Sequence, residues 1–140
     1  MDQNFRLLID VHELPVVRLA LRALRGKTRG EGLEEFLARL NEDTRLAVMA
    51  WWMDDQVKSG GFAQWHANGY SRHTSLLAAY YVGKGLFCDR VANILRRVHW
   101  NLQDEDGPDS SGLLALSQEY FLISDEAFVE LSRHLPQANQ

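Results

Sequence analysis

Two polar clusters in this chain have residue types that could do chemistry. Asp54, Asp55 and Gln56 follow the apolar run LAVMAWWM, and Gln64, His66 and Asn68 surround Trp65 a few residues further on. A carboxylate pair serves as acid and base when its surroundings push the two pKa values apart. An imidazole serves as a base when an acid orients it. A pocket built here would therefore use Asp55, Gln64, His66 and Asn68, with His66 as the base. Against this, adjacent helix positions point about 100° apart, so one of the two carboxylates faces solvent and the other an arginine. Gln64 and Asn68 are equally suited to tie down backbone groups left free at helix ends. His66 has no evident acidic orienter. For both clusters the structural reading is the stronger one, and no catalytic residue is assigned.

Metal and nucleophile chemistry find less support. The five histidines, His12, His66, His73, His99 and His134, form no i, i+4 pair and no HExxH, and the single cysteine, Cys88, excludes a CxxC site and an internal disulfide. Cys88 reads as a small core residue. The acidic run Asp104-Glu105-Asp106-Gly107-Pro108-Asp109 superficially resembles a calcium loop. It fails because Pro108 falls at the fifth position and Ala115 where a bidentate Glu belongs. GKTRGEG, Gly26 to Gly32, opens on Gly-Lys-Thr but lacks the first-glycine spacing of a phosphate loop, since Leu21 stands where that glycine belongs. GYSRH, Gly69 to His73, lacks the second glycine of a nucleophile elbow. No cofactor and no metal are expected.

Helices must position these residues. Pro15 suits a first helical turn, and Val17, Leu21 and Leu24 recur at helical spacing up to Gly26. Phe36, Leu37 and Leu40 share one side of a short helix. Asn41 or Asp43 caps the next, roughly Thr44 to Lys58, which is apolar on nearly every side and is expected to be central and buried. Gly60 is expected to supply a left-handed helix end and Gly61 a close backbone approach, with Phe62 folded back into the core. Ser71 or Thr74 opens a helix with Leu76, Leu77, Tyr80 and Tyr81 inward. Another bears Val91, Ile94, Leu95 and Val98. After the acidic loop come two tail helices, the second capped by Ser124 and ended by Pro136. Strand-like alternation is confined to Phe5 to Val11. The expected fold is all-α: one domain over residues 1–140, a compact bundle of about six to seven short and medium helices around a buried central helix. The four tryptophans default to the core, with Trp51 or Trp52 a candidate for a dimer seam.

Composition narrows the function classes. The 140 residues are 46% hydrophobic and 24% charged, with a net charge of −4. No apolar run reaches bilayer length, the N-terminus does not read as a signal peptide, and a cytoplasmic protein is expected. Residues 101–140 carry eight acidic and one basic side chain, whereas residues 61–100 carry one acidic and five basic. A direct nucleic-acid binder usually presents a net basic face. The strongest single-sign segment here is acidic, which suits a basic partner. Glu31, Glu34, Glu35, Asp54, Asp55, Asp104, Glu105, Asp106 and Asp109 are the candidate partner-binding acids.

The segment Trp51 to Gly69, WWMDDQVKSGGFAQWHANG, preceded by Arg45, resembles the core motif of a bacterial domain-of-unknown-function family that includes an acidic DNA-mimic protein. Val57, Gly60, Gly61, Phe62, Gln64, Trp65 and Asn68 match that motif. Val82-Gly83 resembles the family's Ile-Gly-Ala corner, and LSQEYF, Leu116 to Phe121, its tail motif. The likeness spans Leu33 to Leu135. Gln56 stands where the family usually has Glu and Ser59 where it usually has Asn; if those positions only close a helix corner, Gln and Ser serve nearly as well. The resemblance implies an all-helical fold and dimers. For its best-understood member it implies a decoy that presents carboxylates as DNA presents phosphates and so occupies a DNA-binding protein.

The functional expectation is a non-enzymatic protein-interaction domain with a protein partner, its sharp version an acidic mimic of DNA. The alternatives are a small enzyme or ligand-binding domain with a pocket at the Gly60-Gly61 corner, and a self-associating structural subunit.

Overall fold

The computed structural model describes residues 10–135. Seven α-helices carry the chain: α1 (Pro15–Arg25), α2 (Leu33–Ala38), α3 (Glu42–Ala67), α4 (Thr74–Tyr81), α5 (Leu86–Leu102), α6 (Ser110–Phe121) and α7 (Ser124–Arg133). Short 3-10 turns at Val11–Glu13 and Ser71–His73 lead into α1 and α4. No strand occurs among the described residues. The alternation at Phe5 to Val11 lies mostly outside them, as does Pro136, and Val11 itself opens a 3-10 turn. The fold is all-α, as the periodicity requires.

Local chemistry sets the helix ends. Pro15 occupies the first turn of α1, where its missing N–H costs nothing. The Asn41 side chain accepts from Thr44 N–H at 2.9 Å and caps α3. Arg45 then reaches back one helix, donating from Nε to Leu37 O and from Nη2 to Leu40 O, each at 3.1 Å. Carbonyls at the end of α2 are thereby satisfied by a side chain of α3. The α7 start departs from expectation. Ser124 is its buried first residue and makes no capping bond, because α6 turns directly into α7 through Leu122 and Ile123.

α3 is the central element. It packs against α1, α4 and α6, while α5 packs against α4, α6 and α7. Ala47, Val48, Met49, Ala50, Met53, Val57, Phe62 and Trp65 are all buried along α3, which accounts for its apolar character on every side. Each fully buried side chain of Val, Leu or Phe size contributes about 1.5–3 kcal/mol. Trp51 and Trp52 are half-buried: Trp51 packs on His12 and Phe128, and Trp52 on Tyr70. Two inward expectations are corrected. Leu76 is exposed because Thr74, Leu77, Ala78 and Tyr81 already form the inner face of α4. Trp100 is 77% exposed, because the inner face of α5 is taken by Val91, Ile94, Leu95 and Val98.

Candidate functional site

The glycine corner joins α3 to the rest of the bundle. Two non-helical residues, Gly60 and Gly61, kink α3 between its long N-terminal segment and a final short one. The glycines exchange their expected roles. Gly61 has φ 73°, the left-handed value, whereas Gly60 provides room, since a Cβ there would sit 2.9 Å from Gln64 Cβ. Beyond the kink, Phe62 N–H donates to Ser117 Oγ at 2.9 Å, and Ser117 Oγ–H donates to Leu113 O at 2.8 Å. The Phe62 ring meets Tyr120 edge-on, with centroids 6.0 Å apart. Trp51 to Gly69 and Leu116 to Phe121, distant in sequence, are therefore one structural unit.

Three of the polar corner residues converge. Gln56 Oε1 accepts from Asn68 Nδ2 at 2.6 Å and from Gln64 Nε2 at 3.3 Å, bridging the two arms of the kink. His66 lies on the outside, with Nδ1 2.5 Å from Ser71 Oγ. Asp55 is exposed, and its carbonyl accepts from Ser59 Oγ–H at 2.8 Å. The Trp65 indole, fully inside, donates to the buried Thr74 Oγ1 at 2.9 Å. Of the candidate pocket residues, Gln64 and Asn68 share Gln56 as partner, while His66 bonds Ser71 and Asp55 bonds Ser59 through its carbonyl. Gln56, which sequence reasoning noted only as a departure from a motif, is the hub. Its i+8 and i+12 relation to Gln64 and Asn68 would have signalled this only with the kink angle known.

Asp54 belongs elsewhere than the outer acids with which the sequence groups it. It is 3% exposed, accepts from Tyr120 O–H, and lies 3.1 Å from Lys58 Nζ. Its cationic partner is thus a lysine one turn on, not an arginine. Burial raises the Asp54 carboxyl above its ordinary range, against the pull of Lys58 and the Tyr120 hydrogen bond. Burial and the nearby Asp54 charge likewise push the Tyr120 hydroxyl well up. Lys58 also reaches Asp125 at 3.4 Å, so this network links α3, α6 and α7.

The remaining acids divide by environment. Glu31 is held by Arg39 at 2.7 Å and accepts from Thr28 N–H, and these bonds lower its carboxyl to about 2. Arg39 also donates to Gly26 O, so the pair closes the glycine-rich loop and the Glu31 charge is compensated. Glu34 faces Arg72 and His73. Glu35, Asp55, Asp104, Glu105, Asp106 and Asp109 are exposed, and among the described residues none is in an ion pair. Asp109 also caps α6 through Ser111 N–H, and Asn101 holds the Asp109 backbone against the end of α5.

Among the described residues no three His, Cys, Asp or Glu side chains gather as metal ligands. Cys88 is buried, donates its Sγ–H to Ala127 O, and has its thiol pushed up to about 12 by burial and the nearby Glu130. Two open concavities lie away from the corner: one of about 710 Å³ between α5 and the α6–α7 turn, another of about 220 Å³ beside Trp100.

An all-helical domain with its signature residues spent on a structural corner, and its free carboxylates outside, is the class these observations define. The family model described as DMP19-like protein matches residues 38–138, and the chain belongs to that family. No curated protein and no solved structure matches it significantly. No helix among the described residues is long and apolar enough to cross a membrane.

Proposed function

We propose that this protein is a non-enzymatic interaction domain that acts as an acidic mimic of DNA toward a DNA-binding protein. The observation that carries this reading is the set of uncompensated exterior carboxylates, concentrated in Asp104, Glu105, Asp106 and Asp109. Four carboxylates within six residues form a local polyanion even though the whole chain carries only −4. Membership of the DMP19-like family supports the reading. The corner supports it indirectly, because Gln56, Gln64 and Asn68 satisfy one another and so act as scaffold. Carboxylates facing a basic, DNA-binding surface would give fast association that salt weakens.

Affinity capture from the source cell at about 0.05 M and about 0.5 M salt tests this. The expected result is a DNA-binding protein retained only at low salt and displaced by duplex DNA. The triple variant Asp104→Asn, Glu105→Gln, Asp106→Asn should bind it about tenfold more weakly, since each lost rim charge costs on-rate and salt dependence. Recovery of a partner with no affinity for DNA, held equally at both salt concentrations, would refute the proposal.

A further inference from the structure

Between Glu13 and Glu31 the chain carries no acid and five cations, Arg18, Arg22, Arg25, Lys27 and Arg29. The fold turns that run into a face. Arg18, Arg22 and Arg25 fall within an arc of about 60° on α1, on the side away from the buried Val16, Val17 and Ala20. All three are exposed, and so is Arg29 in the turn from Thr28 to Glu31 that follows. That turn is fixed to the end of α1, because Arg39 holds both Gly26 O and the Glu31 carboxylate. Glu31 is the one acid of the loop, and its charge is already met there.

The surrounding acids do not cancel this face. None of the four arginines is in an ion pair among the described residues. α1 packs chiefly on α3 and α7, which meet its inner side. On those helices Asp54 and Asp125 are paired with Lys58, and Glu130 accepts from Cys88 N–H. Glu42, Asp43 and Asp55 are in no ion pair, but they belong to α3, across the core side of α1 from the stripe. Glu13 lies in the turn before α1, five residues ahead of Arg18. The acidic loop Asp104 to Asp109 joins α5 to α6, and at physiological salt a charge more than about 8 Å away is largely screened.

The chemistry of the face selects its partner. No large apolar side chain is exposed before Leu76 among the described residues. The face therefore lacks the aromatic or aliphatic anchor of a protein interface, and it has nothing to insert into lipid. Arginine forks match pairs of phosphate oxygens. Arg18 to Arg25 span about 10.5 Å along the helix axis, the rise of about three phosphates on one strand of a duplex. α1 has no Asn, Gln or aromatic residue with which to read base edges or stack on bases. We propose that α1 and the turn from Thr28 to Glu31 form a sequence-independent docking face for the phosphate backbone of duplex nucleic acid. The chain as a whole is acidic, but this face reverses the sign locally. The inference does not rest on DNA mimicry, since it uses a different face and the opposite charge.

Fluorescence anisotropy of a labelled DNA duplex, titrated with the full chain, tests the proposal. Binding should weaken about a hundredfold between about 0.05 M and about 0.2 M salt, the loss expected for about four phosphate contacts. Duplexes of different sequence should bind alike. Each of Arg18→Gln, Arg22→Gln and Arg25→Gln should lower the salt slope by about 1, whereas Arg22→Lys should keep it. All three positions are exposed, so these variants leave the core untouched. The triple variant Asp104→Asn, Glu105→Gln, Asp106→Asn should bind the duplex no more weakly than wild type, which separates this face from the acidic loop. Absence of binding at about 0.05 M salt, or a slope indifferent to the glutamine variants, would overturn the proposal. So would tighter binding to polyglutamate of matched charge or to phosphatidylserine vesicles, which would assign the face to an acidic protein or to a membrane.

Discussion

Phe62 N–H donates to Ser117 Oγ at 2.9 Å across a separation of 55 residues, and both partners are buried. This bond joins the kinked helix α3 to α6. It explains why a double glycine must be followed at once by a large aromatic: Gly61 turns the chain, and Phe62 is delivered into the core with its N–H aimed at the serine. A buried N–H with no partner is costly, so the kink and the serine depend on each other.

Gly61→Ala is expected to destabilise the fold by about 1–3 kcal/mol, because φ 73° disfavours a Cβ and the added atom would lie 3.0 Å from Ser117 Oγ. Ser117→Ala should cost about 1–3 kcal/mol by orphaning the Phe62 N–H. Denaturant midpoints measure both. A neutral Gly61→Ala would mean that the corner is not the strained element described.

Asp54 makes stability depend on pH in a defined direction. Its folded pKa is raised, so the native state holds the proton more tightly than the unfolded chain. The cost of its charge is present above the folded value and is relieved as pH falls toward the ordinary carboxylate range. Asp54→Asn removes this titration. The stability difference, wild type minus variant, should therefore grow in favour of wild type as pH falls from neutral toward the ordinary carboxylate value of 3.8. Urea unfolding at several pH values measures it, and a difference that shrinks over that interval would contradict the assignment.

Glu31 acts oppositely. Its carboxyl is lowered to about 2 from 4.5, so its contribution is present above the unfolded value and lost as pH falls from 4.5 to about 2. The Thr28 amide, bonded to Glu31 at 3.0 Å, should stay protected from hydrogen exchange at pH 4 and lose that protection in Glu31→Gln.

The Cys88 thiol, pushed up to about 12 and buried, should not react with a disulfide reagent at pH 8 until the protein is unfolded. Rapid labelling of the folded chain would show that the α5–α7 contact opens.

Gly85 and Glu130 form a second dependent pair. The Glu130 carboxylate accepts from Cys88 N–H at 2.7 Å at the start of α5, and a Cβ on Gly85 would lie 2.3–2.5 Å from that carboxylate. Gly85→Ala should destabilise by about 1–3 kcal/mol. Adding Glu130→Ala should recover only part of the loss, because φ 142° at Gly85 remains unfavourable. Full recovery in the double variant would assign the whole cost to the clash.

Much of the fold was legible because its signals are local. Asn41, three residues before Thr44, is sufficient to start α3, and the apolar stripes of LAVMAWWM are sufficient to bury it. The corner was legible as a corner, but not which glycine turned the chain. That depends on where Gln64 folds, and Gln64 is positioned by Gln56 across the kink. Trp100 could not be placed from periodicity, since it follows the buried Val98 and a helical phase does not show where the inner face ends. Glu31 and Asp54 read alike as acids. Arg39 compensates one outside, and Tyr120 with Lys58 holds the other inside.

By itself the sequence determined helix identity, helix starts such as those at Pro15 and Asn41, the glycine kink and the uneven distribution of charge, because these follow from backbone preferences and side chains within a few residues. The tertiary structure alone decided which acids remain free, which tryptophan faces water and which polar groups are spent on one another. Those outcomes depend on partners far away in the chain, such as Tyr120 for Asp54 and Ser117 for Phe62, at separations of 66 and 55 residues. Burial and pairing, not residue type, set the energy of a charge.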